Sequence, residues 1–181
     1  SFSLSGTVLD YNTGNPIENA LVQIENNDFT FNETTDVNGD FSIPSFFTGT
    51  YQVNVGQWGY ITDCSDNNTI NASNNTLQIY LSKGIYDDFT FDFGWSVTGS
   101  ATDGIWERGV PNGTSYQGED ANPGSDLITD CSNSAYVTGN AQGAAVNEDD
   151  VDGGSTILTS PVFNLNGMVD PYIEYSRWFF N

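Results

Sequence analysis

Short alternating runs separated by turn residues constrain this chain more than any other feature, and they leave it little choice but β structure. Residues 3–9 (SLSGTVL) alternate roughly and read as a strand, and DYNTGNP at 10–16 reads as a turn. ALVQI at 20–24 is a second strand. FTFNETT at 29–35 alternates cleanly, with one face set for burial. The run Asp36-Val37-Asn38-Gly39-Asp40 predicts a tight hairpin turn in which Gly39 takes the φ > 0 position such loops need. Phe41-Ser42-Ile43 returns as a strand. GTYQVNV at 49–55 puts Tyr51, Val53 and Val55 on one face, Gly59-Tyr60-Ile61 begins another strand, and LQIYL at 77–81 closes the set. About seven short strands with no helical period are the pattern of a small β-sandwich. The polar stretch DCSDNNTINASNNT at 63–76 reads as a loop. Its N-x-S/T sites at Asn67, Asn71 and Asn74, like those at Asn32 and Asn112, are what an Asn-rich chain contains by chance.

After a short hinge, Ser82-Lys83-Gly84, the pattern changes. YDDFTFDF at 86–93 alternates aromatic and acidic residues, and GWSV and GIWERG follow. A long Gly/Asn/Asp/Ser loop is expected from Pro111 to about Asn133, then a strand and turn over 135–140. The final strands are expected to reach Phe163 and to run from Tyr172 to Phe180. The fold class is therefore all-β, with two β-sandwich domains in tandem at 1–83 and 84–181. Arg177-Trp178-Phe179-Phe180-Asn181 falls inside what should be a central strand, so the second domain is expected to be truncated at its C-terminus.

Charge excludes several functions. There are 24 acidic residues against three basic ones, Lys83, Arg108 and Arg177, for a formal net charge of −21. Nucleic acid needs a basic face, and an anionic membrane surface would repel this chain. Such self-repulsion destabilises a compact state unless salt or bound divalent cations offset it, and both fit an extracellular or cell-surface setting. In so acidic a chain each cation is expected to meet a carboxylate. No transmembrane run or signal peptide is apparent, and residue 1 is Ser, as in a processed or trimmed chain. There is no His, so a Ser-His-Asp triad, a Cys-His pair and a His-ligated zinc are all absent. Cys64 and Cys131 suit one disulfide in an oxidising compartment, with free or separately paired thiols as the alternative.

The densest acidic stretch lies in NEDDVDGGSTILTSPVFNL at 147–165. Glu148, Asp149, Asp150 and Asp152 precede Gly153 and Gly154 and the alternating run 156–159. Carboxylates this close repel unless screened, and Ca²⁺ takes six to eight oxygens in a flexible geometry. The stretch is thus a candidate Ca²⁺ cage, and a solvated acidic turn is the competing reading.

Two resemblances follow from the residues. SGTVLDYNTGNPIENALVQI, TTDVNGDFSIPSFFTGTYQVNV and the GY at 59–60 resemble the carboxypeptidase regulatory-like domain over roughly residues 3–83. Asp10, Thr13, Gly14, Thr35, Asp36, Asn38, Gly39, Tyr51 and Tyr60 all stand at its motif positions. The resemblance implies a transthyretin-like, seven-stranded Greek-key sandwich, used beside zinc carboxypeptidases and as a spacer in secreted and surface proteins, with no active site of its own.

Residues 86–181 are similar to a jelly-roll module of secreted bacterial proteins, especially of Bacteroidetes, distantly like MAM-type sandwiches. DVDGG-x-T-x-L-x-S-P-V-F is its most specific part. That resemblance implies an incomplete jelly roll with a Ca²⁺ held by acids of an opening strand and of a later loop. Here those are Asp87 or Asp88 with Asp149, Asp150 and Asp152, and Asp120 and Asp126 as secondary candidates.

The combined reading is a non-catalytic structural or adhesive portion of a large secreted or surface protein, a filament or adhesin component among them. Its partners would be other protein domains, copies of itself or surface glycans. The alternatives are an accessory region of a secreted peptidase and a carbohydrate-binding module. For the latter, Trp58 on the Gly56-Gln57-Trp58-Gly59 corner is the Trp expected to be exposed, with Trp95, Trp106 and Trp178 in the core.

Overall fold

In the computed structural model the described residues are 1–140, 146 and 150–178; among them are strands, turns and extended chain, and no helix. None of them therefore forms a helix long and apolar enough to cross a membrane. The protein is all-β. It divides into two compact units, Ser1–Asp87 and Asp88–Asn181.

Unit 1 contains β1 (Phe2–Asp10), β2 (Leu21–Glu25), β3 (Thr30–Thr34), β4 (Asp40–Phe46), β5 (Gly49–Gly56), β6 (Asp63–Ile70) and β7 (Thr76–Leu81). They form a three-stranded sheet, β4-β1-β7, and a four-stranded sheet, β3-β2-β5-β6. β1 and β4 are antiparallel, whereas β1 and β7 run parallel. Alternation sends every second side chain into one core. Leu4, Val8, Phe41, Ile43, Ile79 and Leu81 come from the first sheet, and Val22, Ile24, Tyr51, Val53 and Val55 from the second. Phe46, fully buried, packs its ring 4.7 Å from Tyr51, 4.6 Å from Phe31 and 5.9 Å from Phe2.

One stretch expected to be a loop is a strand. β6 lies within 63–76 and pairs antiparallel with β5, although it shows almost no apolar alternation. It is an edge strand held by backbone bonds. Asn68 Nδ2 donates to Ser65 O at 2.7 Å and to Tyr51 O at 3.3 Å, where the β5–β6 register shifts. Conversely, 59–61 makes only isolated bridges, Tyr60 to Lys83 and Ile61 to Tyr86.

Unit 2 contains β8 (Ser96–Gly99), β9 (Trp106–Gly109), β10 (Thr114–Tyr116), β11 (Glu119–Asn122), β12 (Ala135–Thr138) and β13 (Thr156–Thr159). Among the described residues these form three two-stranded antiparallel ladders, β10-β11, β12-β9 and β13-β8. The expected 111–133 loop contains the β10–β11 hairpin. Its turn residues Gln117 and Gly118 have φ of 51° and 90°, as a type I′ turn requires. The strand expected from Tyr172 does not form over residues 172–178, and its last residues, Phe179 and Phe180, lie outside the described ones. Tyr172, Ile173 and Tyr175 are exposed instead.

Candidate functional site

The motif residues of unit 1 are used by its own backbone. Asp10, almost fully buried at the end of β1, accepts the N–H groups of Asn12 and Thr13 on Oδ1, both at 2.9 Å. Its Oδ2 accepts the Tyr60 hydroxyl at 3.2 Å and lies 3.5 Å from Lys83 Nζ. Burial pushes this carboxyl up, but the hydrogen bonds from Thr13, Asn12 and Tyr60 outweigh it and hold it below the ordinary carboxylate range. Thr35, also buried, donates from Oγ1 to Ile17 O at 2.7 Å and accepts Ala20 N–H at 2.8 Å, clipping the β1–β2 connection to the end of β3. Asp36 Oδ1 accepts the N–H groups of Asn38 at 2.8 Å and Asp40 at 3.0 Å, and the bonds from Asp40 and then Asn38 lower its pKa. Gly39 has φ of 75°, and a Cβ there would stand 2.5 Å from Val8 O, so this turn admits only glycine. Asp36, Asn38 and Asp40 therefore make the hairpin turn that their spacing predicts.

The acids of unit 2 are arranged differently. Asp88 is 2% exposed; its Oδ1 accepts Thr90 N–H and its Oδ2 accepts Cys131 N–H, each at 3.1 Å. It thereby fixes the start of the unit against the loop that carries Asp126 and Asp130. Asp126 Oδ2 is buried with no hydrogen-bond partner. Burial raises the Asp126 pKa, a bond from Leu127 N–H opposes the rise, and the charges of Asp130 and Asp88 add to it. The Thr90 hydroxyl is likewise buried and unpartnered. Among the described residues no three Asp, Glu or Cys side chains converge tightly enough to hold a metal by themselves. Asp126 is the acid that burial and the charges of Asp130 and Asp88 set apart, and a cation beside it would need backbone carbonyls or water for its remaining oxygens.

Among the described residues, the acids singled out in the sequence form no group of three that could hold a metal. Asp87 ends unit 1 and Asp88 begins unit 2. Asp149 lies outside the described residues, and Asp150 is exposed. Asp152 is exposed too; its carbonyl accepts Thr102 N–H at 2.8 Å, and it forms an isolated bridge with Asp103. The two glycines after it have a steric purpose. A Cβ on Gly153 would collide with Thr102, and one on Gly154 would stand 2.8 Å from the carbonyl carbon of Ser100, so the turn lies hard against residues 100–102. Asp120 sits on the exposed β10–β11 hairpin. Cys64 and Cys131 are both disulfide-bonded, and neither is a free thiol.

Two expectations about single side chains are corrected. Trp178 is the exposed tryptophan, at 56%, because its segment forms no strand; its Nε1 donates to Ala121 O at 3.0 Å, whereas Trp58 is half-buried. Among the described residues Arg108 meets no carboxylate. Its guanidinium donates to Phe89 O at 2.8 Å and Thr90 O at 3.5 Å, and the Phe89 ring packs against Trp95 and Tyr136, the three ring centroids 5.2–5.9 Å apart. Phe89 holds a φ of 57°, uncommon for an aromatic residue, and that bond to its carbonyl helps fix it there.

The fold and its spent motif residues define an all-β sandwich whose polar signature serves structure. The family model of the carboxypeptidase regulatory-like domain matches residues 3–82, less than half of the chain. Among solved structures, a type II cohesin–X–dockerin complex from Acetivibrio cellulolyticus is similar at 26% identity and TM-score 0.36, over 46% of this chain and 59% of that one. A putative carbohydrate-binding protein from Bacteroides uniformis is 11% identical at TM-score 0.38, over 59% and 49%. A DUF3823 family protein from the same species is 12% identical at TM-score 0.33, over 91% and 84%. The chain thus spans less than two thirds of the length of the first two. No curated protein matches it.

Proposed function

We propose that this chain is a non-catalytic structural and interaction portion of a secreted or cell-surface protein, unit 1 serving as a spacer and unit 2 as the part that meets other protein domains or copies of the chain. The observation that carries the reading is the use of Asp10, Thr35 and Asp36. The most distinctive polar groups of unit 1 are consumed by turn N–H groups, a buried carbonyl and a tyrosine hydroxyl, which leaves none poised to act on a substrate. The disulfide bonding of Cys64 and Cys131 supports an oxidising compartment. The reading is tested by assaying the whole chain for hydrolysis of denatured casein and of a panel of nitrophenyl glycosides. No turnover above a heat-denatured control is expected; turnover abolished by any single Asp→Asn change contradicts it.

A cation belongs to the same proposal. The orphaned Oδ2 of Asp126, close to the charges of Asp88 and Asp130, fits a hard divalent ion better than solvent-exposed Asp150 or Asp152 does. Asp88 and Asp126 would hold Ca²⁺, which would answer the unpartnered Oδ2 of Asp126 and tie residue 88 to the 126–133 loop.

A further inference from the structure

We propose that the outer face of the three-stranded sheet in unit 1 binds a neutral, hydroxyl-rich ligand, a short oligosaccharide lying along the strands. This inference does not depend on the cation or on the role of unit 2. Alternation turns Ser5, Thr7 and Leu9 of β1 away from the core. Register then sets Ser42 and Thr76 on either side of Ser5, Asp40 and Gln78 on either side of Thr7, and Tyr80 beside Leu9. A groove of about 410 Å³ opens over this face, bordered by Ser5, Thr7, Asp40, Ser42 and Thr76. At the Leu9 end of the same face Tyr80 meets Tyr11 edge to face, ring centroids 6.4 Å apart, with the two residues 45% and 68% exposed.

Hydroxyls, an amide and a carboxylate in a row, ended by open aromatic rings, match the two surfaces of a sugar. Its hydroxyls donate to and accept from Ser, Thr and Gln, and its C–H faces stack on aromatic rings. Thr7 Oγ1 donates to Asp40 Oδ1 at 2.6 Å, which leaves Asp40 Oδ2 to accept a ligand hydroxyl. Charge decides between ligand classes. No Lys or Arg stands among these residues, Asp36 and Asp40 both border the groove, and the chain carries −21, so phosphorylated, sulfated or uronic ligands are repelled while neutral ones are not. From Ser5 to Tyr11 the face runs roughly 20 Å at the rise of a strand, room for several sugar units in line.

The test is a ¹H–¹⁵N titration of the whole chain with cellohexaose, laminarihexaose, maltohexaose, xylohexaose and mannohexaose, and with hexagalacturonate as the anionic control. At least one neutral hexamer is expected to give saturable shifts at Ser5, Thr7, Ser42, Gln78 and Tyr80. Tyr80→Ala should weaken that binding about tenfold or more. Thr76→Lys, which fills the groove, should do the same; both sites are exposed, so the unfolding midpoint should hold. The proposal is overturned if no neutral hexamer shifts these residues at millimolar concentration, if the shifts map elsewhere, if both variants bind as the parent does, or if hexagalacturonate binds as tightly.

Discussion

Asp10 and Asp126 are both aspartates drawn away from water, and their carboxyls move in opposite directions. At Asp10 two backbone N–H groups, a tyrosine hydroxyl and Lys83 answer the charge, and the group stays ionised more readily than a free carboxylate. At Asp126 one oxygen is buried without a partner and two further acids add to the burial, so ionisation is opposed. The same residue type thus stabilises one unit and loads the other. Asp63 on β6, raised by burial, shows that unit 1 also has a less well-answered acid, but it lies outside the turns that organise the fold. The core follows the same division. Unit 1 buries a continuous set of large side chains from both sheets, whereas among the described residues of unit 2 the buried hydrophobics are Phe91 and Val137.

The largest expected effect tests that difference in packing. Phe46→Ala removes a fully buried ring that touches three aromatic neighbours and should destabilise unit 1 by about 3–5 kcal/mol. Ile157→Ala on half-exposed β13 should cost under ~0.5 kcal/mol. Amide exchange across β1–β7 and β8–β13 reads the two separately, and equal losses would erase the contrast. Next comes Thr35→Ala, which leaves the Ala20 N–H and the Ile17 carbonyl without their buried partner; roughly 2–4 kcal/mol should be lost in denaturant unfolding. Thr35→Ser, which keeps the hydroxyl, should recover most of it.

Acid sharpens the contrast further. Asp10 and Asp36 have folded pKa values below their unfolded ones, so the stability they supply is present above the ordinary carboxylate range and is lost as pH falls through their folded values. Asp126 has a folded pKa above its unfolded one, so its contribution is full below the ordinary range and is lost as pH rises through the folded value. Lowering pH from neutral should therefore first relieve unit 2 and only later weaken unit 1. Asp126→Asn should remove the first effect and Asp36→Asn should reduce the second, both read as residue-resolved exchange against pH. A pH profile unchanged by either substitution would refute the assignment.

Unit 1 was legible because each strand of its core carries period-2 alternation and each turn a Gly, Asn or Asp at the decisive position, Gly39 above all. β6 was hidden because an Asn- and Thr-rich edge strand is specified by its neighbour's free backbone groups, which leave no hydrophobic pattern in the sequence. The β10–β11 hairpin was hidden because its turn is Gln117-Gly118 and not the familiar Asn-Gly. In the candidate site, the densest run of acids along the chain lies around Asp150 and Asp152. Density in sequence says nothing of convergence in space, and Asp126 and the two acids whose charges act on it, Asp130 and Asp88, are spread over more than forty positions. Asp88 is legible because it falls in the acidic run that opens the second unit, whereas Asp126 lies in a Gly/Asn/Asp/Ser loop whose sequence carries no sign of its burial.

The proposed cation at Asp88 and Asp126 is what most separates unit 2 from unit 1, where turn N–H groups, Tyr60 and Lys83 answer Asp10. The most direct measurement is thermal unfolding of the whole chain in Ca²⁺ and then in excess EDTA at fixed ionic strength, for the parent, Asp126→Asn, Asp36→Asn and Asp152→Ala. At a hundredfold excess over Kd the ion should stabilise the parent by about 2.7 kcal/mol. That gain should vanish in Asp126→Asn and persist in Asp36→Asn and Asp152→Ala. No shift in the parent, or a shift that survives Asp126→Asn and disappears with Asp152→Ala, would contradict it.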